Sequence, residues 1–69
     1  MLTTREKQVL KLLCLPNSEI AQRLCITAIT VKSHVRNIFN KLTCSNRAEA
    51  IVKAIKKEII QAQEVHTDE

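Results

Sequence analysis

The chain has 69 residues, 45% of them apolar, with one aromatic side chain (Phe39) and no glycine. That palette suits a small core of Leu, Ile, Val and Ala in helices, and the lack of glycine excludes the phosphate-cradling loops of P-loop and Rossmann enzymes. The formal charge is +4, but Glu64, Asp68 and Glu69 give residues 61–69 a charge of −3, so residues 1–60 carry +7, a basic body suited to an anionic partner.

The first helix is predicted over about Thr4 to Cys14. Thr3 and Glu6 have the spacing of a capping box, in which hydroxyl and carboxylate satisfy each other's backbone N–H groups. Val9, Leu10 and Leu13 form its inner face, with Arg5, Lys7 and Lys11 outside, and Pro16 stops it because proline has no N–H and disfavours helical geometry at Leu15. A short second helix follows, about Ser18 to Leu24, with Asn17 as its cap. Ile20 and Leu24 face inward, and Ala21 is small where two helices must approach closely. Cys25 stands where a tight turn would often use glycine; a left-handed backbone there costs about 1–2 kcal/mol.

The third helix is predicted to start after Thr27 as N-cap and to end near Leu42. Val31, Val35, Ile38 and Leu42 make one continuous apolar stripe. Lys32, Ser33, Arg36, Asn37 and Asn40 make a separate polar stripe, bordered by Thr30, His34 and Lys41. Between Glu19 and Glu49 the chain has no acidic residue, yet it carries Arg23, Lys32, Arg36, Lys41 and Arg47. A fourth helix begins near Arg47, with Asn46 and Glu49 again at cap spacing. Ala48, Ile51, Val52, Ile55 and Ile59 are expected on its core face, and Ala50 and Ala54 on a shallow outer surface. Beyond about Ile60 the segment 61–69 is polar, has no apolar period and is expected to fray.

The fold class that follows is all-α: a four-helix helix-turn-helix domain over residues 1–60 with the third helix as recognition helix. A helix fits the major groove of B-DNA, where base edges present distinguishable donors and acceptors. Arg36 can fork onto guanine O6 and N7; Lys32 can reach the same atoms or a phosphate. Ser33 can take either role, and Asn37 can reach phosphate or adenine. Thr30, His34 and Lys41 are better placed for phosphate oxygens, which fix register but read no sequence. For His34 a half-buried place at the core edge is a close second to a phosphate contact.

Cys14, Cys25 and Cys44 lie far apart, form no C-x-x-C pair and complete no usual zinc pattern with His34 or His66. They are expected as small buried hydrophobes in a reducing cytosol, with no metal and no cofactor. No Ser, Cys or carboxylate is placed to form a nucleophile–base pair around His34, so no enzyme is expected. No apolar run approaches the ~18–20 residues of a membrane span, and no signal-peptide pattern is present, so the expected location is cytoplasmic.

These residues resemble the LuxR-type (GerE-like) DNA-binding domain of bacterial transcription regulators. The matching segments are LTTRE at Leu2–Glu6, EIAQRL at Glu19–Leu24, ITAITVKSHVRNIFNKL at Ile26–Leu42 and NRAEA at Asn46–Ala50. The T-V-K-x-H-x-x-N-I-x-x-K-L run separates this family from the helix-turn-helix region of sigma factors. The resemblance implies a homodimer joined mainly through the fourth helix, here assigned to Ala50, Ala54 and Lys57, on an inverted-repeat site. It implies base contacts by Lys32, Ser33 and Arg36, and backbone contacts or supports from Thr30, His34, Asn37 and Lys41. Asn17 and Ser18 fall where phosphate is touched, while Glu6, Glu19 and Arg47 fall on structural positions, ion-paired between helices. The turn between the first two helices, Leu13-Cys14-Leu15-Pro16, is shorter than the family's and lacks its glycine. Family members commonly carry an N-terminal receiver or ligand-sensing domain, so the chain is either an effector domain or a short stand-alone regulator. Two other readings differ in class or partner: a helical adaptor docking on RNA polymerase or a sigma factor through Ala50 and Ala54, and a sigma-type promoter reader.

Overall fold

The computed structural model describes residues 1–65. Four helices are present among them: α1 (Thr4–Lys11), α2 (Asn17–Leu24), α3 (Ala28–Leu42) and α4 (Arg47–Lys56), followed by a 3₁₀ turn at Ala62–Glu64. Helix α3 lies at the centre and packs against the other three. Val9, Leu10, Leu13, Ile20, Val31, Ile38, Ala50 and Ala54 are completely buried between them.

The caps explain where the helices start. The Glu6 N–H donates to Thr3 Oγ1 (3.1 Å) and the Thr3 N–H to Glu6 Oε1 (3.0 Å), the reciprocal box expected from the spacing. Thr27 Oγ1 accepts from the Thr30 N–H (3.2 Å) and opens α3. Asn46 Oδ1 accepts from the Glu49 N–H (2.8 Å), while the Glu49 carboxylate reaches one residue further back, to the Ser45 N–H (2.9 Å). Asn17 is not the cap of α2. Pro16 holds that position in extended geometry without a side-chain cap, and Asn17 is already helical.

The ends of the helices show how a chain without glycine turns. Cys25, Thr43 and Glu58 all take left-handed backbone, with φ of 56°, 53° and 59°. After each, the next N–H bonds back five residues: Ile26 to Ala21 O (3.0 Å), Cys44 to Phe39 O (3.0 Å) and Ile59 to Ala54 O (2.9 Å). This is the Schellman closure that glycine usually serves, here made by residues with a Cβ at about 1–2 kcal/mol each. Helix α1 ends differently, at Lys11 rather than Cys14. Leu12, Leu13 and Leu15 tighten into successive i→i−3 bonds (3.0, 3.2 and 2.9 Å), compressing the short connection to α2.

Three expectations are corrected here. On α4 the innermost residues are Ala50 and Ala54, both fully buried; of the expected core face Ile51, Ile55 and Ile59 pack half-buried against the core, whereas Ala48 is exposed and Val52 is 50% exposed. The helix is rotated by roughly a third of a turn from the orientation that apolar size suggests. Its small alanines let it approach the bundle closely, and Lys53 on the flank donates to the carbonyls of Leu42 and Thr43 at the end of α3. Ala50 and Ala54 therefore cannot form an outer surface; of the residues assigned to a dimer contact, only Lys57 is exposed. The segment after α4 does not simply fray. Ile60 is buried, Val65 packs on the core, and Glu64 pairs with Lys11 at 3.1 Å. Residues 66–69, the rest of the expected tail and the site of His66, lie outside the described residues. Finally, Cys14 and Cys25 are exposed and Cys44 is half-buried, so the cysteines are not a buried set.

Candidate nucleic-acid interface

The α2–α3 unit is a helix-turn-helix whose turn is made by left-handed Cys25, with buried Ala21 beneath it. From the Thr27 cap, α3 runs 15 residues, about 22 Å at 1.5 Å per residue. Its inner stripe, Val31, Val35, Ile38 and Leu42, is buried. The opposite side presents Lys32, Ser33, Arg36, Asn37 and Asn40, all exposed. Among the described residues none of these five side chains has a hydrogen-bond or ion-pair partner. The absence of acids from the sequence around α3 thus becomes a spatial fact: the cations of this face have no carboxylate of their own to neutralise them. A helix about 10–12 Å across fits a major groove about 12 Å wide.

The flank expected to touch phosphate is divided. Thr30 is exposed, its hydroxyl shared with that of Thr27 at 2.9 Å. Ser18 is exposed at the start of α2, which lacks a side-chain cap. Lys41 does not stand free. Its ammonium donates to Glu6 Oε1 (2.8 Å) and to the Met1 carbonyl (3.1 Å), tying α3 to α1. Glu6 is 4% exposed, the one buried charged residue of the described chain. Burial pushes its carboxyl up, but the Lys41 hydrogen bond, the Thr3 N–H and the charges of Lys41 and His34 outweigh it. The group is held below its ordinary value. His34 is half-buried on the same flank, within electrostatic reach of Glu6.

Asn17 and Arg47 form a second structural knot. The Arg47 guanidinium donates to the carbonyls of Leu13 and Leu15 (both 3.0 Å) and to Asn17 Oδ1. It satisfies the backbone of the short α1–α2 turn and draws the Asn17 oxygen inward. Of the three residues expected to be ion-paired between helices, Glu6 is so paired. Glu19 instead pairs within α2, with Arg23 at 3.7 Å, and Arg47 binds neutral oxygens. Carbonyl acceptors leave no mark in a sequence, which is why the Arg47 clasp was not legible there. The sequence reading also passed over Ile29, 79% exposed on the outer side of α3.

A helix-turn-helix that turns an unneutralised cationic helix face to solvent is the architecture of a DNA-binding domain. The comparisons with known proteins place it further: residues 1–54 match the luxR family of bacterial regulatory proteins (GerE), and the chain belongs to that family. It is a non-enzymatic DNA-binding domain of transcription regulation. It is 49% identical over 55 residues to the HTH-type transcriptional regulator MalT of Vibrio campbellii, a match covering 77% of this chain and 6% of that protein. It is 43% identical over 63 residues to the response regulator protein VraR of Staphylococcus aureus, covering 88% of this chain and 30% of that protein. The chain thus spans only a small part of either relative. No solved structure matches it. Among the described residues no helix is long and apolar enough to cross a membrane, and no group of three or more His, Cys, Asp or Glu could hold a metal ion.

Proposed function

We propose that this domain binds specific double-stranded DNA by laying α3 in the major groove, with Lys32, Ser33 and Arg36 on base edges. Thr30, Asn37 and Ser18 contact the phosphate backbone, helped by His34 and by the –NH₂ of Asn17 that Arg47 leaves free. The observation carrying this reading is the exposed Lys32–Ser33–Arg36 face, without partners of its own among the described residues, on the side of α3 away from its buried apolar stripe. Lys41 is left out of the contact set because moving it to a phosphate would strand the buried Glu6 carboxylate.

The domain acts as a homodimer on an inverted repeat, in the cytoplasm of a bacterium. The dimer contact is the outward face of α4, where Val52 and Ala48 are exposed beside the partly buried Ile51 and Ile55. The alternative adaptor docked on RNA polymerase through Ala50 and Ala54 has lost its surface, since both are in the core; any polymerase contact of the bound regulator must use other residues. Selection from a random duplex pool tests the reading. It should recover two half-sites in inverted orientation about one helical turn, ~34 Å, apart. Val52→Glu should leave the fold intact and weaken binding to the paired site far more than to a single half-site. Recovery of unpaired sites would overturn the homodimer, and equal binding by Val52→Glu would place the dimer contact elsewhere.

A further inference from the structure

Apart from the chain's first residue, Ile29 is the most exposed large apolar side chain of the described molecule, at 79%. The fold does not explain it. Ile29 is the second residue of α3, where a β-branched residue brings no helical advantage, and it touches no part of the core cluster. Its position does explain it. At about 100° per residue, Ile29 lies within about 20° of Arg36 and about 40° of Ser33 around the α3 axis. It faces away from the buried Val31, Val35, Ile38 and Leu42 stripe and stands at the N-terminal end of the free polar face. Residues near the start of a recognition helix are those that reach the groove floor.

Resting on the proposed DNA reading, we infer that Ile29 is a specificity-determining residue that packs on the C5-methyl group of a thymine. Thymine is the base that offers an apolar group in the major groove. A branched aliphatic side chain among cations and hydroxyls gives that methyl a partner that Lys32, Ser33 and Arg36 cannot. The contact reads the base adjoining those read by Arg36 and Ser33, and it adds no dependence on salt because no ion is displaced.

The test is a cycle of two deletions. The duplex most enriched by the parent protein is prepared with each half-site thymidine replaced singly by deoxyuridine, which removes only the methyl group. Affinities are measured by fluorescence anisotropy at one fixed salt concentration for the parent, Ile29→Ser and Ile29→Val. At one thymine the parent should lose about fourfold per methyl removed, the scale of one buried carbon. Ile29→Val should keep most of that discrimination, and Ile29→Ser should bind the thymidine and deoxyuridine forms alike while staying helical by circular dichroism. A selected half-site without thymine, or equal methyl sensitivity in the parent and Ile29→Ser, would overturn the assignment and point Ile29 toward a protein partner. Tight, Arg36-dependent binding without a methyl effect sinks this inference alone. Absence of any duplex binding at low salt sinks the DNA reading with it.

Discussion

Two groups of cations lie on this small protein and behave differently. Lys41, Arg47 and Lys53 are each tied to the protein's own oxygens: a buried carboxylate, the carbonyls of a tight turn, and the end of a helix. Lys32 and Arg36, on the opposite side of α3, have no such partner among the described residues. By residue type the two groups are interchangeable. What separates them is whether an acceptor from another helix comes within reach. A cation that has found an oxygen acceptor inside the fold contributes stability; one left without an acceptor is available to a phosphate or a guanine.

This contrast can be broken from both sides. The largest effect should come from Arg47→Ala, which leaves the Leu13 and Leu15 carbonyls and the Asn17 amide without their donor. Urea unfolding should show a loss of about 3 kcal/mol. Next is Arg36→Ala, the same deletion on the free face. It should cost about 2 kcal/mol of binding to the selected site, roughly thirtyfold, and relax one base position, while stability stays within about 0.5 kcal/mol of the parent. A matching loss of stability would show that Arg36 belongs with the first group.

Lys41→Met sharpens the contrast through pH. At neutral pH it should cost about 1.5 kcal/mol, because the buried Glu6 carboxylate loses its counter-charge. In the parent the Glu6 carboxyl is held low, so its contribution to stability is present above the ordinary value of 4.5 and is lost as pH falls through the lower folded value. Without Lys41 two of the causes that hold the carboxyl low are gone and it moves up from its parent value, so the variant loses less stability on protonation than the parent does. The gap between parent and variant should therefore shrink as unfolding is measured at successively lower pH, and a constant gap would mean that the pair does not act through charge.

Much of this was legible in the sequence. Thr27 and Leu42 bound α3 as the pattern indicates, because its apolar stripe is unbroken and its cap is local. The Thr3–Glu6 box was legible for the same reason. The orientation of α4 was legible only in part: Ile51, Ile55 and Ile59 do pack on the core, but size favours Val52 over Ala50 and Ala54, whereas close packing favours the smaller side chains. Nor could the fate of Lys41 be read: its partner Glu6 is 35 residues away, and no local pattern joins them. The turn at Ala62–Glu64 escaped because Lys11, Ile60 and Val65 hold it by contacts rather than by periodicity. Fold and exposed face were thus written locally, while the sorting of cations between them was written only in three dimensions.

That sorting is most directly tested by adding the selected duplex to isotope-labelled protein and following the side-chain NMR signals of the lysines and arginines. Signals of Lys32 and Arg36 should shift strongly, while those of Lys41 and Arg47 should stay near their free positions. Shifts centred on Lys41 and Arg47, with Lys32 and Arg36 unmoved, would contradict the account.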